Sequence, residues 1–393
     1  MGIKVLTVLG TRPEAIKLAP VIKELERVAD SESASVASAS AGGAGVRCRV
    51  CAVAQHRELL DPFLRLFEIE PDWDLDLMQP DQTPSQVAAG VLERLPPILE
   101  QERPDWVLVQ GDTTTAFAAA LAAFYSGVRV AHVEAGLRSY AREPFPEELN
   151  RRLISHLAEL HFAPTLQAKE NLLREGIPPE RVHVTGNTVI DALYLVLGSP
   201  SSPGLEMEME MEELGLEPQP GAKLILVTLH RRESFGERLE EICLALRQLI
   251  ERNSDIELVW PVHLNPHVQE PVRRLLGGVE RVHLIEPLNY PAFIKLMERA
   301  YLVLTDSGGI QEEAPALDKP VLILRNRTER PEVLKTGAAK LVGTSPPAII
   351  RETERLLRDQ EEYRRMAAAE NPYGDGHAAE RIVSILLAQG SVG

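Results

Sequence analysis

IKVLTVLG (residues 3–10), followed almost at once by PEAIKLAPVIKELERV (13–28), sets the pattern of the whole chain. The first stretch is a short apolar run. The second places apolar side chains three and four residues apart with charges between them, so a strand followed by a helix is predicted. The couple recurs as RCRVCAVA (47–54) with HRELLDPFLRLF (56–67), and as DWVLVQGD (105–112) with TTTAFAAALAAFYSG (113–127). It continues through VRVAHVEAG (128–136), EELNRRLISHLAEL (147–160), HFAPT (161–165) and RVHVTGN (181–187). Strand and helix in alternation predict an α/β fold, a parallel sheet with helices on both faces.

The alternation stops at SPSSPGLEMEMEMEELGLEPQPGA (199–222), whose Pro, Ser, Gly and Glu-Met content suits a linker or exposed insertion. A first domain over 1–195 is expected. From KLILVTLH (223–230) to PVLILR (320–325) the pattern restarts, predicting a second α/β domain over 196–372. Residues 373–393, rich in Ala, Glu and Arg, are predicted as a helix packing back on the first domain. SESASVASASAGGAG (31–45) is low in complexity and reads as a flexible loop. Two open α/β units imply ligand contacts from loops at the carboxyl ends of strands, with the site expected in the cleft between the domains.

A chain of 393 residues, 44% hydrophobic, can bury a sizeable core, which excludes a disordered or fibrous protein. Lys plus Arg number 42 against 58 Asp plus Glu, and the net charge of -16 opposes nonspecific binding to nucleic acid or an anionic membrane. No apolar run reaches the roughly 18 residues of a membrane span. The start MGIKVLTVLG lacks signal-peptide features, so a soluble, cytoplasmic protein is expected. Three cysteines make no disulfide framework. Cys48 and Cys51 form an isolated CxxC without a second ligand pair, and are predicted to be structural rather than a metal site.

The candidate chemistry follows strands. Gly10-Thr11-Arg12-Pro13-Glu14 ends the first strand, with Pro13 suited to a first helical turn whose free amides favour an anion. Arg12 is placed either to grip phosphate or to pair with a nearby carboxylate, and Lys17 lies about one turn further on. Asp112 follows DWVLVQG and Glu134 follows VRVAHV, where carboxylates serve no packing purpose. Glu147 opens a helix, either as an acid of the site or as a dipole-favoured residue paired with Arg151, with Glu148 free to pair with Arg152. Converging acids repel, which raises at least one pKa and supplies both an acid and a base near neutrality. In the second half, His230 and His263 end successive strands, while Ser307-Gly308-Gly309 opens a helix whose small residues let amides approach a diphosphate. Glu313, one turn inside, suits the vicinal hydroxyls of a ribose, and Phe293 suits either the core or stacking on a base.

Taken together, GTRPEAIKLAPVI, GDTTTAF, HVEAGLRS, PFPEELNRRL, GNTVIDAL, HRRESFG, PVHLNP and DSGGIQEEAPALDKPVLILRNRTERPE resemble the non-hydrolysing UDP-N-acetylglucosamine 2-epimerases of bacteria across nearly the whole chain. The resemblance implies two Rossmann-like domains of GT-B type, usually in a homodimer, and interconversion of UDP-GlcNAc and UDP-ManNAc without cofactor or metal. It implies elimination of UDP to a bound 2-acetamidoglucal and re-addition after proton delivery to the opposite face, serving cell-surface polysaccharide precursors. Carried over by motif, Asp112, Glu134, Glu147 and His230 are catalytic. Arg12, Lys17, Phe293, Ser307, Gly308, Gly309 and Glu313 bind substrate. Gln55 and His56, with Arg57 and His263, match a second nucleotide-sugar site used for activation. Glu58 stands there in place of the usual glutamine, and Asp81 precedes Gln82-Thr83 where an arginine is expected. A carboxylate does not replace a cation beside a diphosphate, which puts activation by substrate in question. The competing expectations are a hydrolysing epimerase, a GT-B glycosyltransferase using a UDP-sugar, and a noncatalytic nucleotide-sugar binding module.

Overall fold

The computed structural model describes residues 2–36, 45–53, 57–77, 82–142, 144–198, 221–231 and 235–390. These fall into two compact units, Met1–Ala192 with Tyr373–Gly393, and Leu193–Pro372. The long insertion expected over 199–222 lies almost wholly outside the described residues, as do Gln55, His56 and Asp81.

The first unit begins β1 (Lys4–Leu9), α1 (Arg12–Val36), β2 (Arg47–Ala52), α2 (Arg57–Leu66), β3 (Trp73–Asp74), α3 (Pro84–Glu102), β4 (Trp106–Gln110) and α4 (Thr114–Tyr125). It continues β5 (Arg129–Val133), α5 (Glu147–Leu157), β6 (Leu160–Ala163), α6 (Leu166–Arg174) and β7 (Val182–Val184), and ends within α7 (Thr188–Gly198). Its seven strands run parallel in the order β3-β2-β1-β4-β5-β6-β7. Central strands buried on both faces need apolar residues at every position, and β4, WVLVQ, is buried throughout. Leu6, Val8, Val107 and Val109 are wholly buried, each stabilising the fold by roughly 1.5–3 kcal/mol. α4 is built from alanines, six of them buried, so it lies close against α3 and the sheet. The low-complexity stretch differs from expectation, because α1 runs on to Val36 and takes in residues 31–36. Ser and Ala are tolerated in a helix interior, so composition alone did not end it.

The second unit contains β8 (Lys223–Thr228), α8 (Glu237–Arg252), β9 (Ile256–Pro261), α9 (Pro266–Leu276), β10 (Val282–Ile285), α10 (Tyr290–Arg299), β11 (Leu302–Thr305) and α11 (Gly308–Glu313). β12 (Val321–Ile323), α12 (Pro331–Thr336), β13 (Ala339–Leu341), α13 (Pro346–Arg358) and α14 (Gln360–Ala367) follow. Six parallel strands lie in the order β10-β9-β8-β11-β12-β13 over a core that includes Val227, Leu246, Trp260 and Leu304. Both units are Rossmann-like α/β sandwiches.

The chain then returns to the first unit as α15 (Ala378–Ala388), which packs on α1. The return is tightly fitted: the Tyr373 carbonyl accepts the Asn187 amide at 2.6 Å, and Asp191 accepts the Ala379 amide at 2.7 Å. A Cβ on Gly186 (φ +90) would stand 3.3 Å from the Gly374 Cα, so the two backbones meet there through glycine. Among the described residues no helix is long and apolar enough to cross a membrane.

Candidate functional site

In an open parallel sheet the strand order reverses at one place, and the loops leaving the two central strands there part to opposite faces and leave a crevice. In the first unit that place is between β1 and β4, and in the second between β8 and β11. The segments that follow these four strands, loops and first helical turns, carry Gly10 to Glu14, Asp112, His230 and Ser307 to Gly309.

The centre of the first-unit group is Glu134, directly after β5. It is one of the few non-glycine residues with positive φ (64°), a conformation that costs about 1–2 kcal/mol. Among the described residues, Lys17 from α1 forms an ion pair with it, Gln110 at the end of β4 donates to Oε2, and Asn187 donates to Oε1 at 3.1 Å. Several polar bonds to the one carboxylate offset that strain. Gly111 (φ 70) turns the chain beside it, its amide bonding to the Val133 carbonyl and its own carbonyl accepting from His132 Nε2 at 2.7 Å. His132 is fully buried and its pKa falls to about 3, so it stays a neutral strut under the loop.

Asp112 is next. Burial pushes its pKa up, the Arg151 guanidinium at 2.6 Å pulls it down, and the charges of Glu134 and Glu147 push it up again. The expected mutual influence of the three acids is therefore present at Asp112. Glu147, half-buried at the start of α5, makes no hydrogen bond or ion pair among the described residues. The local pairings expected for this helix differ: Arg151 joins Asp112 and Glu148, not Glu147, and Arg152 reaches Glu175 at 3.9 Å. Arg151 is only 14% exposed, so it faces inward, where the nearest acids are those of the site. Glu148 accepts from Ser139 and the Tyr140 amide and shapes the loop before the helix. Arg12 is exposed and has no partner among the described residues.

In the second unit the turn after β11 is fixed from below. Thr228 and Thr305 share a hydrogen bond of 2.6 Å, and Thr305 accepts the Ser307 amide at 2.9 Å. Asp306, fully buried, accepts the amides of His230 and Arg231. A Cβ on Gly308 would stand 3.5 Å from the Arg231 guanidinium, so a cation flanks the small-residue turn. Arg231 is also paired with Glu329; burial raises that acid's pKa, but Arg231 and Arg325 outweigh it and hold the carboxyl at about 2. His230 and His263 lie ring over ring with centroids 6.3 Å apart, and both are exposed. Glu313 ends α11, buried, and accepts from the Tyr290 hydroxyl at 2.8 Å. Phe293 is half-buried on α10, one turn beyond Tyr290.

Gln110, Asn187, Asp306 and Tyr290 were not singled out from the sequence. Asp306 carried a usable signal, since YLVLTD ends in an acid just as DWVLVQGD does. Away from these loops, Cys48 and Cys51 are inert thiols, each pushed up to about 12 chiefly by burial. Among the described residues no group of three or more His, Cys, Asp or Glu is arranged to hold a metal ion.

The sequence profile of the UDP-N-acetylglucosamine 2-epimerase family matches residues 40–387. The chain is 52% identical to the UDP-N-acetylglucosamine 2-epimerase of Salmonella typhimurium over 385 residues, 98% of each protein, and 51% identical to that of Escherichia coli K12 over the same share of both. Among solved structures it resembles a putative UDP-N-acetylglucosamine 2-epimerase from Listeria monocytogenes (TM-score 0.87, 45% identity, 99% of this chain and 97% of that one). It also resembles the UDP-GlcNAc 2-epimerase of Neisseria meningitidis bound to UDP-GlcNAc (TM-score 0.84, 47% identity, 98% and 100%). With the profile covering most of its length and relatives of this identity aligned nearly end to end, the chain belongs to the UDP-N-acetylglucosamine 2-epimerase family.

Proposed function

We propose that this protein reversibly converts UDP-GlcNAc to UDP-ManNAc, by elimination and re-addition of UDP and without release of free sugar. The observation that carries the proposal is the carboxylate group of the first unit. Glu134 is strained and held by Lys17, Gln110 and Asn187, and Asp112 has its pKa raised beside it within reach of Glu147's charge. Inverting a C–H centre needs a base on one face and an acid on the other, both near neutral pKa. One carboxylate takes the C2 proton while the C1–O bond breaks and UDP departs, leaving 2-acetamidoglucal. A second delivers a proton to the opposite face of C2, and the UDP oxygen re-adds at C1. All atoms are conserved.

The second unit supplies the nucleotide end of the reading. Ser307 to Gly309 and the adjacent Arg231 suit the diphosphate, His230 its developing charge, Glu313 the ribose and Phe293 the uracil. Arg12 and Lys17 assist at the phosphate and the sugar. The similar Neisseria enzyme is bound to UDP-GlcNAc, which supports the substrate. We propose a homodimer as well, supported by exposed apolar side chains on two neighbouring helices, Phe124 and Tyr125 on α4 and Leu149 and Leu153 on α5.

Proton NMR of UDP-GlcNAc with the protein in D2O tests the reading. Deuterium entering C2 with UDP-ManNAc accumulating towards equilibrium is the expected result. Free ManNAc as the main product would assign a hydrolysing enzyme, and an unchanged spectrum despite tight binding would overturn the epimerase. Asp112→Asn abolishing exchange with no acceptor present would exclude glycosyl transfer.

A further inference from the structure

We infer that Glu14 is a positioning residue that locks the Gly10-Thr11 turn leading into Arg12 to the loop carrying Asp112; the inference rests on the epimerase reading. Glu14 sits in the first turn of α1 and is 0% exposed. Its Oε2 accepts the Gly10 amide at 3.0 Å and the Thr11 amide at 2.7 Å, and its Oε1 accepts the Thr113 hydroxyl at 2.7 Å. An acid in a first turn ordinarily serves the amides of its own helix start. Here one oxygen does so, while the other reaches a residue 99 positions away in sequence.

Burying a carboxylate is costly unless donors surround it, and two loops share the task of supplying them. The residue on each side of the tie is a proposed site residue: Arg12 follows Thr11, and Asp112 precedes Thr113. Thr113 is itself fixed, because its Oγ1 accepts the Ala116 amide at 2.9 Å and so caps α4. A second contact clamps the same loops. A Cβ on Gly10 would stand 2.7 Å from Thr115 Oγ1 and 2.8 Å from its Cγ2, so only glycine allows the close approach. The Asp112 carbonyl is held from a third direction by Asn150 Nδ2 at 3.0 Å. With both loops joined through one buried carboxylate, the cation and the acid meet a substrate in fixed register, the kind of pre-positioning on which catalytic rates depend.

Two substitutions break the tie from opposite ends. Glu14→Met keeps the length but carries no polar group to bond to the loop amides or to Thr113, and Thr113→Val removes the hydroxyl. Each is expected to lower kcat at least tenfold per folded molecule, with UDP affinity within about twofold of wild type. The double variant should be no worse than the poorer single one, and Thr113→Ser should restore kcat to within threefold. Hydrogen exchange supplies a readout independent of turnover: Thr113→Val is expected to speed exchange at Gly10 and Thr11. Unchanged exchange there, or losses in kcat that multiply in the double variant, would overturn the inference. A wild-type protein that exchanges no proton at C2 would instead fail the epimerase reading, and the loop exchange would still decide whether the tie exists.

Discussion

The Asp306 carboxylate, wholly buried, lies 3.4 Å from His230 Nδ1 and also accepts the His230 amide. A carboxylate in that place favours the tautomer protonated at Nδ1. His230 is thus fixed by its backbone and its ring together. Asp306→Asn is expected to lower kcat roughly ten- to hundredfold, the size of a lost bond to a charged group. Because the two residues act as one unit, His230→Asn with Asp306→Asn should be little worse than His230→Asn alone. Steady-state kinetics of the three variants checks this, and multiplying losses would refute it.

Arg151 pulls down the pKa of an Asp112 that burial has raised. Replacing it by glutamine removes that pull, so the carboxylate holds its proton to higher pH. If Asp112 works ionised, the acidic limb of kcat/KM should move to higher pH. A profile that keeps its acidic limb would separate Arg151 from the titration.

Asn187→Ala takes one partner from Glu134, whose backbone is already strained. A fall in kcat of about tenfold is expected from the lost hydrogen bond and the looser carboxylate. UDP binding, measured by calorimetry, should be unchanged. Weakened UDP binding with normal kcat would place Asn187 elsewhere in the reaction.

Asp191 bears on stability rather than catalysis. Burial raises it from 3.8 to about 6 despite the amides of Ala379 and Ala378. A carboxyl with a raised native pKa favours the fold while protonated. Its contribution is complete below about pH 4 and is lost as pH rises through about 6, a span worth at most about 3 kcal/mol. Asp191→Asn should therefore gain stability relative to wild type as pH goes from 4 to 7, read from urea midpoints. A difference that stays flat with pH would contradict the assignment.

Much of this was legible because strands buried on both faces write themselves as apolar runs, and an acid placed after such a run has no packing role. Asp112 and Glu134 were visible for that reason. Gln110 and Asn187 were not, since an amide at a strand or helix end reads as ordinary punctuation until its long-range partner is known. Arg151 misled for a related reason. Spacing along a helix proposes an i,i+4 partner, but a guanidinium turned inward meets acids from other strands. The Gly308 turn was legible as small residues, whereas the tie from Glu14 to Thr113 joins positions 99 apart that share no local pattern.

Since Tyr373–Gly393 belongs to the unit that opens the chain, synthesis finishes Leu193–Pro372 before the half that began first. At roughly 5–20 residues per second, the amino-terminal sheet waits on the order of ten to forty seconds on the ribosome for the helix that covers α1. Throughout that interval α1 lacks its cover, so a nascent chain stalled before residue 373 should be the species that chaperones and proteases meet.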